Sequence, residues 1–155
     1  MSVISQDTWV VIVKTGNKDQ HSGTHTGVNL TIFGSAGTSR ELEITDYLCR
    51  NQTQTFTFTN VGNVGVVSSL HVRLGPGTDG WDFESITLQN GQSQYPFVYS
   101  DWLSNYGTKY PQEVKLDADT GKFYIHIEKS CNILVLGDKS QKSHFNRHKL
   151  IIYKN

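Results

Sequence analysis

Apolar and polar residues alternate with a period of two along most of the chain, and the apolar positions are rich in β-branched and aromatic side chains. Successive side chains of a strand point to opposite faces, so this alternation is typical of strands that bury one face. The pattern predicts strands at residues 8–14, 27–33, 40–44, 54–59, 69–74, 83–89, 94–99, 122–128, 132–136 and 149–153.

The segment TQTFTFTN shows the alternation most clearly, because Phe56 and Phe58 share one face of the predicted strand and the threonines share the other. Clusters of Gly, Asn, Asp and Ser separate the strands, and these residue types favour turns. Segments 46–50 and 100–106 have helical leanings but are too short for an independent amphipathic helix. The chain is therefore predicted to be all-β, an antiparallel β-sandwich.

Length and charge narrow the function classes. The chain has 155 residues, which favours one domain, and its 14 Lys and Arg residues balance 14 Asp and Glu residues. A chain without net charge has no global field to attract phosphate backbones, so no nucleic-acid partner is expected. The start, MSVISQDTWV, lacks the basic flank and apolar run of a signal peptide, which predicts a cytoplasmic protein.

Four stretches resemble, in order and spacing, the PLAT domain, also called the lipoxygenase homology domain. They are WVVIVKTGNKDQHSGTHTGVNLTIFGSAG (Trp9–Gly37), TQTFTFTNVGNVGVVSSLHVRLG (Thr53–Gly75), GTDGWDFESITLQN (Gly77–Asn90) and YPFVYSDWLSN (Tyr95–Asn105). The resemblance implies an eight-stranded β-sandwich that acts as a targeting module. In the family's enzymes, catalysis belongs to a separate domain.

The chain continues beyond the resemblance. A PLAT-type β-sandwich is expected over residues 1–107, and residues 108–155 are expected to add a C-terminal β extension packed on the same domain. The run ILVL at residues 133–136 is apolar on both faces. Because such a run on an open edge invites pairing with another chain, it is predicted to be central or to form a homodimer interface.

Two tryptophans are expected to pack in the core. Gly80 precedes Trp81 and tolerates a positive φ, which would turn the chain and let the indole close one end of the sandwich. Trp102 and Leu103 would cap the same core from a short turn. Contact with a ligand is the alternative for both indoles.

Two loops correspond to the calcium-binding loops of some family members. Where the family has Asp and Asn in the first loop, this chain has His25 and Gly27, and LGP replaces the acidic pair of the second loop. Calcium takes six to eight oxygen ligands and normally several carboxylates. No cofactor is therefore expected, and Asp19 and Asp79 are the carboxylates that would hold calcium if the backbone bent toward them.

The leading functional hypothesis is a non-catalytic module that docks on a lipid surface or a protein partner through loops at one end of the sandwich. The chain contains no nucleophile elbow, phosphate-binding loop or HExxH zinc motif, so no catalytic residues are predicted. The loops are polar and nearly uncharged, which predicts weak lipid binding. The candidate contact residues are His21, Thr24, His25, Thr26, Pro76, Thr78 and Asp79.

A lectin-like sandwich that binds carbohydrate is the alternative. Sugar sites combine a stacking aromatic ring with amide and carboxylate groups, and the tract NGQSQYPFVYSDW holds both kinds of residue. The candidate glycan site comprises Asn90, Gln92, Gln94, Tyr95, Tyr99 and Asp101.

The remaining titratable residues have ordinary structural interpretations. Two histidine pairs have i, i+4 spacing, His21 with His25 and the pair at 144 and 148, but neither segment has a helical pattern, so these side chains are expected on the surface. Cys49 and Cys131 are expected as buried thiols, with a disulfide or reactive groups as alternatives. The basic segment 139–149 is expected as a solvated loop, with an anionic partner as its alternative.

Overall fold

The computed structural model describes residues 7–118 and, further along the chain, the backbone of β10 (Phe123–Ile127), β11 (Val135–Gly137) and β12 (Leu150–Lys154). Every regular element within these ranges is a strand. The described residues therefore contain no helix that is long and apolar enough to cross a membrane. The chain divides into two compact units, the first ending at Ala118.

Within residues 7–118, the first unit contains nine strands in two antiparallel sheets. The strands are β1 (Trp9–Thr15), β2 (Val28–Gly34), β3 (Gly37–Thr38), β4 (Leu42–Ile44), β5 (Thr53–Phe58), β6 (Val67–Leu74), β7 (Gly80–Asn90), β8 (Ser93–Ser104) and β9 (Glu113–Asp117). One sheet has the strand order β5-β1-β7-β8, and the other has the order β3-β2-β6-β9, with β4 also paired to β2. This architecture confirms the predicted antiparallel β-sandwich.

The core lies between the two sheets and follows the predicted alternation. In β1, for example, Val11 and Val13 are buried, whereas Ile12 between them is half-buried. Burial of one face of the longer strands, such as β1, β2, β6 and β7, provides the main free energy that holds the sheets together. Phe56 and Phe58 are half-buried and pack against this core, as their shared face predicted.

Three strands differ from the sequence prediction, and the shortest of them, the two-residue β3, was not predicted. β8 runs through Trp102 to Ser104, in the segment to which the pattern assigns helical leanings. β9 was not predicted, because three of its five residues are charged and only Val114 and Leu116 alternate with them; these two side chains are half-buried in the structure. Pairing with β6 makes β9 part of the first unit, although it lies beyond the boundary predicted at residue 107.

The second unit is a small antiparallel sheet with the order β11-β10-β12. Its strands fall in the three segments that the alternation predicts near the end of the chain. The packing of this extension on the first unit and a homodimer through it stay predictions. The following lie outside the described residues: Cys131, His144, His148 and the basic segment 139–149.

Candidate docking site at one end of the sandwich

Four connections meet at one end of the first unit, and we call this region the loop end. They are residues 16–27 between β1 and β2, residues 45–52 between β4 and β5, residues 75–79 between β6 and β7, and residues 105–112 between β8 and β9. The backbone N–H of Asn105 donates to the Asp79 carbonyl at 2.9 Å. The two loops singled out by the sequence therefore lie together, and a third segment joins them.

Asp79 joins the first two loops through its carboxylate. Its Oδ2 accepts hydrogen bonds from the Thr24 hydroxyl at 2.9 Å and the His25 backbone N–H at 2.8 Å. Its Oδ1 accepts one from the Gly80 backbone N–H at 2.8 Å. Hydrogen bonds from neutral donors to a carboxylate are among the stronger ones in proteins, so Asp79 fastens loop 16–27 to the start of β7.

The donor set at these loops does not fit a calcium ion. The oxygens of Asp79 already accept three protein hydrogen bonds, and Asp19 Oδ1 accepts one from the His21 backbone N–H at 2.6 Å. Within residues 7–118 no group of three or more His, Cys, Asp or Glu side chains is placed to hold a metal ion. We therefore assign no part of the function to calcium at Asp19 and Asp79.

Because Asp79 joins loop 16–27 to the start of β7, Asp79→Asn is expected to lower the free energy of unfolding by about 1–2 kcal/mol. The amide would place N–H donors where Thr24 and His25 now donate, or would lose the charge that strengthens these bonds. Urea titration followed by circular dichroism measures the loss. The matched control is Asp19→Asn, whose carboxylate is about half exposed, with a side-chain exposure of 54%. An equal loss of unfolding free energy in the two variants would contradict this role of Asp79.

The predicted contact residues do not all lie on one surface. His21, Thr78 and Asp79 line an open cleft at the loop end. Thr24 is buried and holds the loop together internally, and its hydroxyl lies 3.2 Å from that of Thr26. His25 is exposed and stacks on the ring of Tyr47, with the ring centroids 4.0 Å apart. Pro76 is exposed at the tip of the second loop.

The cleft has a volume of about 700 Å³ and an aromatic wall that the sequence analysis did not assign to a site. Trp102 and Tyr110 form a tilted pair with ring centroids 6.3 Å apart. Tyr106 lies beside them with 76% of its surface exposed. The complete lining is Asp19, His21, Thr78, Asp79, Gly80, Trp102, Ser104, Tyr106, Gly107, Lys109 and Tyr110.

Lys109 is the exposed ammonium of this cleft. Its Nζ lies 4.8 Å from the centre of the Tyr110 ring, a cation–π geometry. A side-chain hydrogen bond with Tyr110 raises the pKa of Lys109, so the ammonium stays protonated throughout the neutral range. The cleft thus combines three aromatic rings with a permanent positive charge.

The core prediction is confirmed for Trp81, which is fully buried, and is wrong for Trp102, which is half-buried on the cleft wall. The expectation that Gly80 turns the chain through a positive φ is also wrong, because its φ is not positive. A Cβ on Gly80 would lie 3.5 Å from the indole of Trp102, so this glycine lies directly beneath the half-buried tryptophan. Gly80 therefore supports the cleft and does not turn the chain.

The residues of the candidate glycan site are spread along the hairpin of β7 and β8. Asn90, Gln92 and Gln94 lie at the hairpin tip, opposite the loop end. Asp101 is on the same strand as Gln94 but about 20 Å away at the usual rise per strand residue. A single sugar ring cannot reach both groups.

The two aromatic residues of the glycan set are half-buried against the core. Tyr95 packs on Trp9, and Tyr99 stacks on Phe83 with ring centroids 5.5 Å apart. Burial raises the pKa of Tyr99, and the charge of Asp101 raises it further, so the phenol stays protonated at neutral pH. Neither ring is as exposed as that of Tyr106 in the cleft.

Tyr106 and Tyr110 could have been found from composition, whereas Trp102 lies in β8. The tract WLSNYGTKYP, residues 102–111, places three aromatic residues and a lysine among turn-forming residues. Large aromatic side chains in a turn-rich segment have no strand face on which to bury themselves. Such a segment is therefore a signal for exposed aromatic groups at the edge of a fold.

The sequence and the fold of this chain are similar to those of known proteins. A model of the PLAT/LH2 domain family matches residues 9–117. No curated protein sequence matches the chain. The structure of a coral 8R-lipoxygenase, described as activated by calcium via a C2-like domain, is similar with a TM-score of 0.61 and 17% identity, over 75% of this chain and 17% of that chain.

Two further solved structures show the same fold. The alpha toxin from Clostridium absonum has a TM-score of 0.54 and 23% identity, over 68% of this chain and 31% of that chain. A calcium-dependent 11R-lipoxygenase has a TM-score of 0.57 and 16% identity, over 74% of this chain and 17% of that chain. At these identities the likeness concerns the sandwich alone.

Proposed function

Because the chain belongs to the PLAT/LH2 domain family, we propose that it docks on a lipid–water interface through the aromatic cleft at its loop end. A PLAT domain is a non-catalytic module, so its contribution is binding. The main observation in support of this proposal is that Trp102, Tyr106 and Tyr110 line one opening together with Lys109. This set differs from the polar loop residues that the sequence favoured.

The chemistry of these side chains suits the headgroup layer of a membrane. Tyrosine and tryptophan have an apolar body and a polar tip, and they prefer the boundary between hydrocarbon and water. Tyr106 is 76% exposed, so its ring enters the interface without any rearrangement of the domain. Lys109 lies at the same opening and suits the phosphate groups of the headgroups.

Charge contributes less than aromatic burial in this proposal. The chain has no net charge, and the carboxylates of Asp19 and Asp79 line the same cleft as Lys109. Binding to phosphatidylcholine vesicles should therefore depend weakly on salt, unlike that of a polybasic surface. A small contact area of this kind gives reversible association.

The test is co-sedimentation of the full chain with phosphatidylcholine vesicles. In the double variant Trp102→Ala/Tyr106→Ser, we expect the partition coefficient to fall roughly tenfold, since two interfacial aromatic groups are lost. The single variant Tyr106→Ser removes only an exposed ring, so its fold is preserved, and it should show part of the loss. Thermal melts establish that each variant is folded.

The matched control is Val98→Ser, because Val98 lies on the same strand as Trp102 and is 69% exposed but is not part of the cleft. Its partition coefficient should equal that of the unmodified chain. Absence of vesicle binding by the unmodified chain, or equal losses in the control and in the cleft variants, would overturn the lipid proposal. A protein partner would then be the remaining occupant for this surface.

A further inference from the structure

A lysine ammonium at the loop end is surrounded by oxygen atoms from three other residues. Lys18 Nζ donates to the Ser100 carbonyl at 2.7 Å. It lies 3.3 Å from Asp82 Oδ1 and 3.7 Å from Asp101 Oδ1. Two carboxylates and a carbonyl around one positive charge form the type of oxygen cluster that proteins use for hard cations.

The carboxylate of Asp82 is buried and held rigidly. Only 2% of its side chain is exposed, and its Oδ2 accepts hydrogen bonds from the Lys18 backbone N–H at 2.9 Å and the Ser22 hydroxyl at 3.2 Å. The carboxylate packs against Gly16, where a Cβ would lie 2.5 Å from its carboxyl carbon. A buried carboxylate needs a compensating charge, and Lys18 supplies it.

The Ser100 carbonyl reaches Lys18 because of a bulge in β8. Phe83 pairs with Asp101 and Ser85 pairs with Val98, so two residues of β8 lie opposite one residue of β7. Ser100 has a φ of 57°, in the left-handed region that residues other than glycine rarely adopt. A bulge of this kind redirects backbone groups, and here it directs an oxygen to the ammonium.

We propose that Lys18 fills a cation site of this domain with its own ammonium, so that loop 16–27 is joined to β7 and β8 without a metal ion. The single charge of the lysine offsets the buried carboxylate of Asp82, and its hydrogen bond to Ser100 links the loop to the strand that carries Trp102. The loop end is thus preassembled, and its geometry is independent of calcium. This inference goes beyond membrane docking and does not depend on it.

The test compares the thermal unfolding of two lysine variants, with no lipid present. Lys18→Met keeps most of the apolar stem and removes the ammonium. The control is Lys14→Met, because Lys14 also pairs with a carboxylate, Glu84 Oε1 at 2.6 Å, but both side chains are well exposed. We expect Lys18→Met to unfold roughly 5 °C lower than the control variant.

Cations should distinguish the two variants further. Millimolar CaCl₂ should raise the unfolding temperature of Lys18→Met by at least half of its loss, because the buried carboxylate of Asp82 then lacks a compensating positive charge, and water molecules can supply the remaining oxygen ligands that calcium requires. The unmodified chain and Lys14→Met should not respond, with NaCl of equal ionic strength as the reference. Failure of this inference leaves vesicle binding untouched, so the two proposals are tested separately.

A second variant covers the case in which Lys18→Met does not fold. The double variant Lys18→Met/Asp82→Asn removes both charges, so it should recover most of the stability and show no response to calcium. The proposal is overturned if calcium stabilises the unmodified chain as much as Lys18→Met, if Lys18→Met is as stable as Lys14→Met, or if calcium has no effect on a folded Lys18→Met.

Discussion

Replacement of Trp81 by alanine is expected to lower the free energy of unfolding by about 4 kcal/mol, the cost of removing a large side chain from a closed core. The indole is fully buried and stacks on Phe83 with ring centroids 4.6 Å apart. Its Nε1 donates a hydrogen bond to the Thr15 hydroxyl at 3.0 Å. Truncation would leave both a cavity and a buried hydroxyl without this donor.

Two further substitutions sharpen the Trp81 measurement. Trp81→Phe keeps a ring in the core and loses the hydrogen bond to Thr15, so its loss should be smaller than that of alanine. Trp102→Ala removes an indole that is only half-buried, and it should cost much less. Urea unfolding followed by far-ultraviolet circular dichroism compares all three. Equal losses at positions 81 and 102 would contradict the different burial of the two indoles.

The second large effect is expected at Gly75, where alanine should lower the free energy of unfolding by about 3 kcal/mol, at the upper end of typical overpacking costs. The Gly75 backbone N–H donates to the Gly27 carbonyl at 3.0 Å. A Cβ on Gly75 would overlap the Thr26 carbonyl oxygen and lie 3.0 Å from its carbon. Because this obstacle is backbone, the two loops would have to separate.

Gly80→Ala is the matched control, since this glycine lies in the same region of the fold. Its backbone does not have a positive φ, and an added Cβ would meet Trp102 at an ordinary contact distance of 3.5 Å. We expect a change within about 0.5 kcal/mol. Vesicle co-sedimentation of Gly75→Ala, provided that it folds, should also show weaker docking. An equally stable Gly75→Ala would contradict the close loop contact.

Most of the strand content was predictable from local pattern. The alternation in β1 and β5, for example, assigns each residue to an inner or outer face because strand geometry has a period of two. β9 was missed because its alternation covers only Val114 and Leu116 between charged neighbours, and its stability comes from pairing with β6. Such pairing between residues distant in sequence leaves no local signal.

The candidate site was predictable only in outline. The resemblance to the PLAT domain indicated two loops at one end, and Asp79 does join them. The aromatic cleft was missed because Trp102 was assigned to the core together with Trp81, although Trp81 is fully buried and Trp102 is half-buried. Both lie near strand ends in similar sequence contexts, so burial separates them and sequence pattern does not.

The sequence by itself determined that this protein is an antiparallel β-sandwich, since side-chain alternation and turn-forming residues act through neighbouring residues along the chain. Only the tertiary structure decided which charges meet. Lys18 lies 64 residues before its buried partner Asp82, and Thr24 lies 55 residues before Asp79. Electrostatic and hydrogen-bond energies depend on distances of a few ångströms in space, which the folded backbone sets.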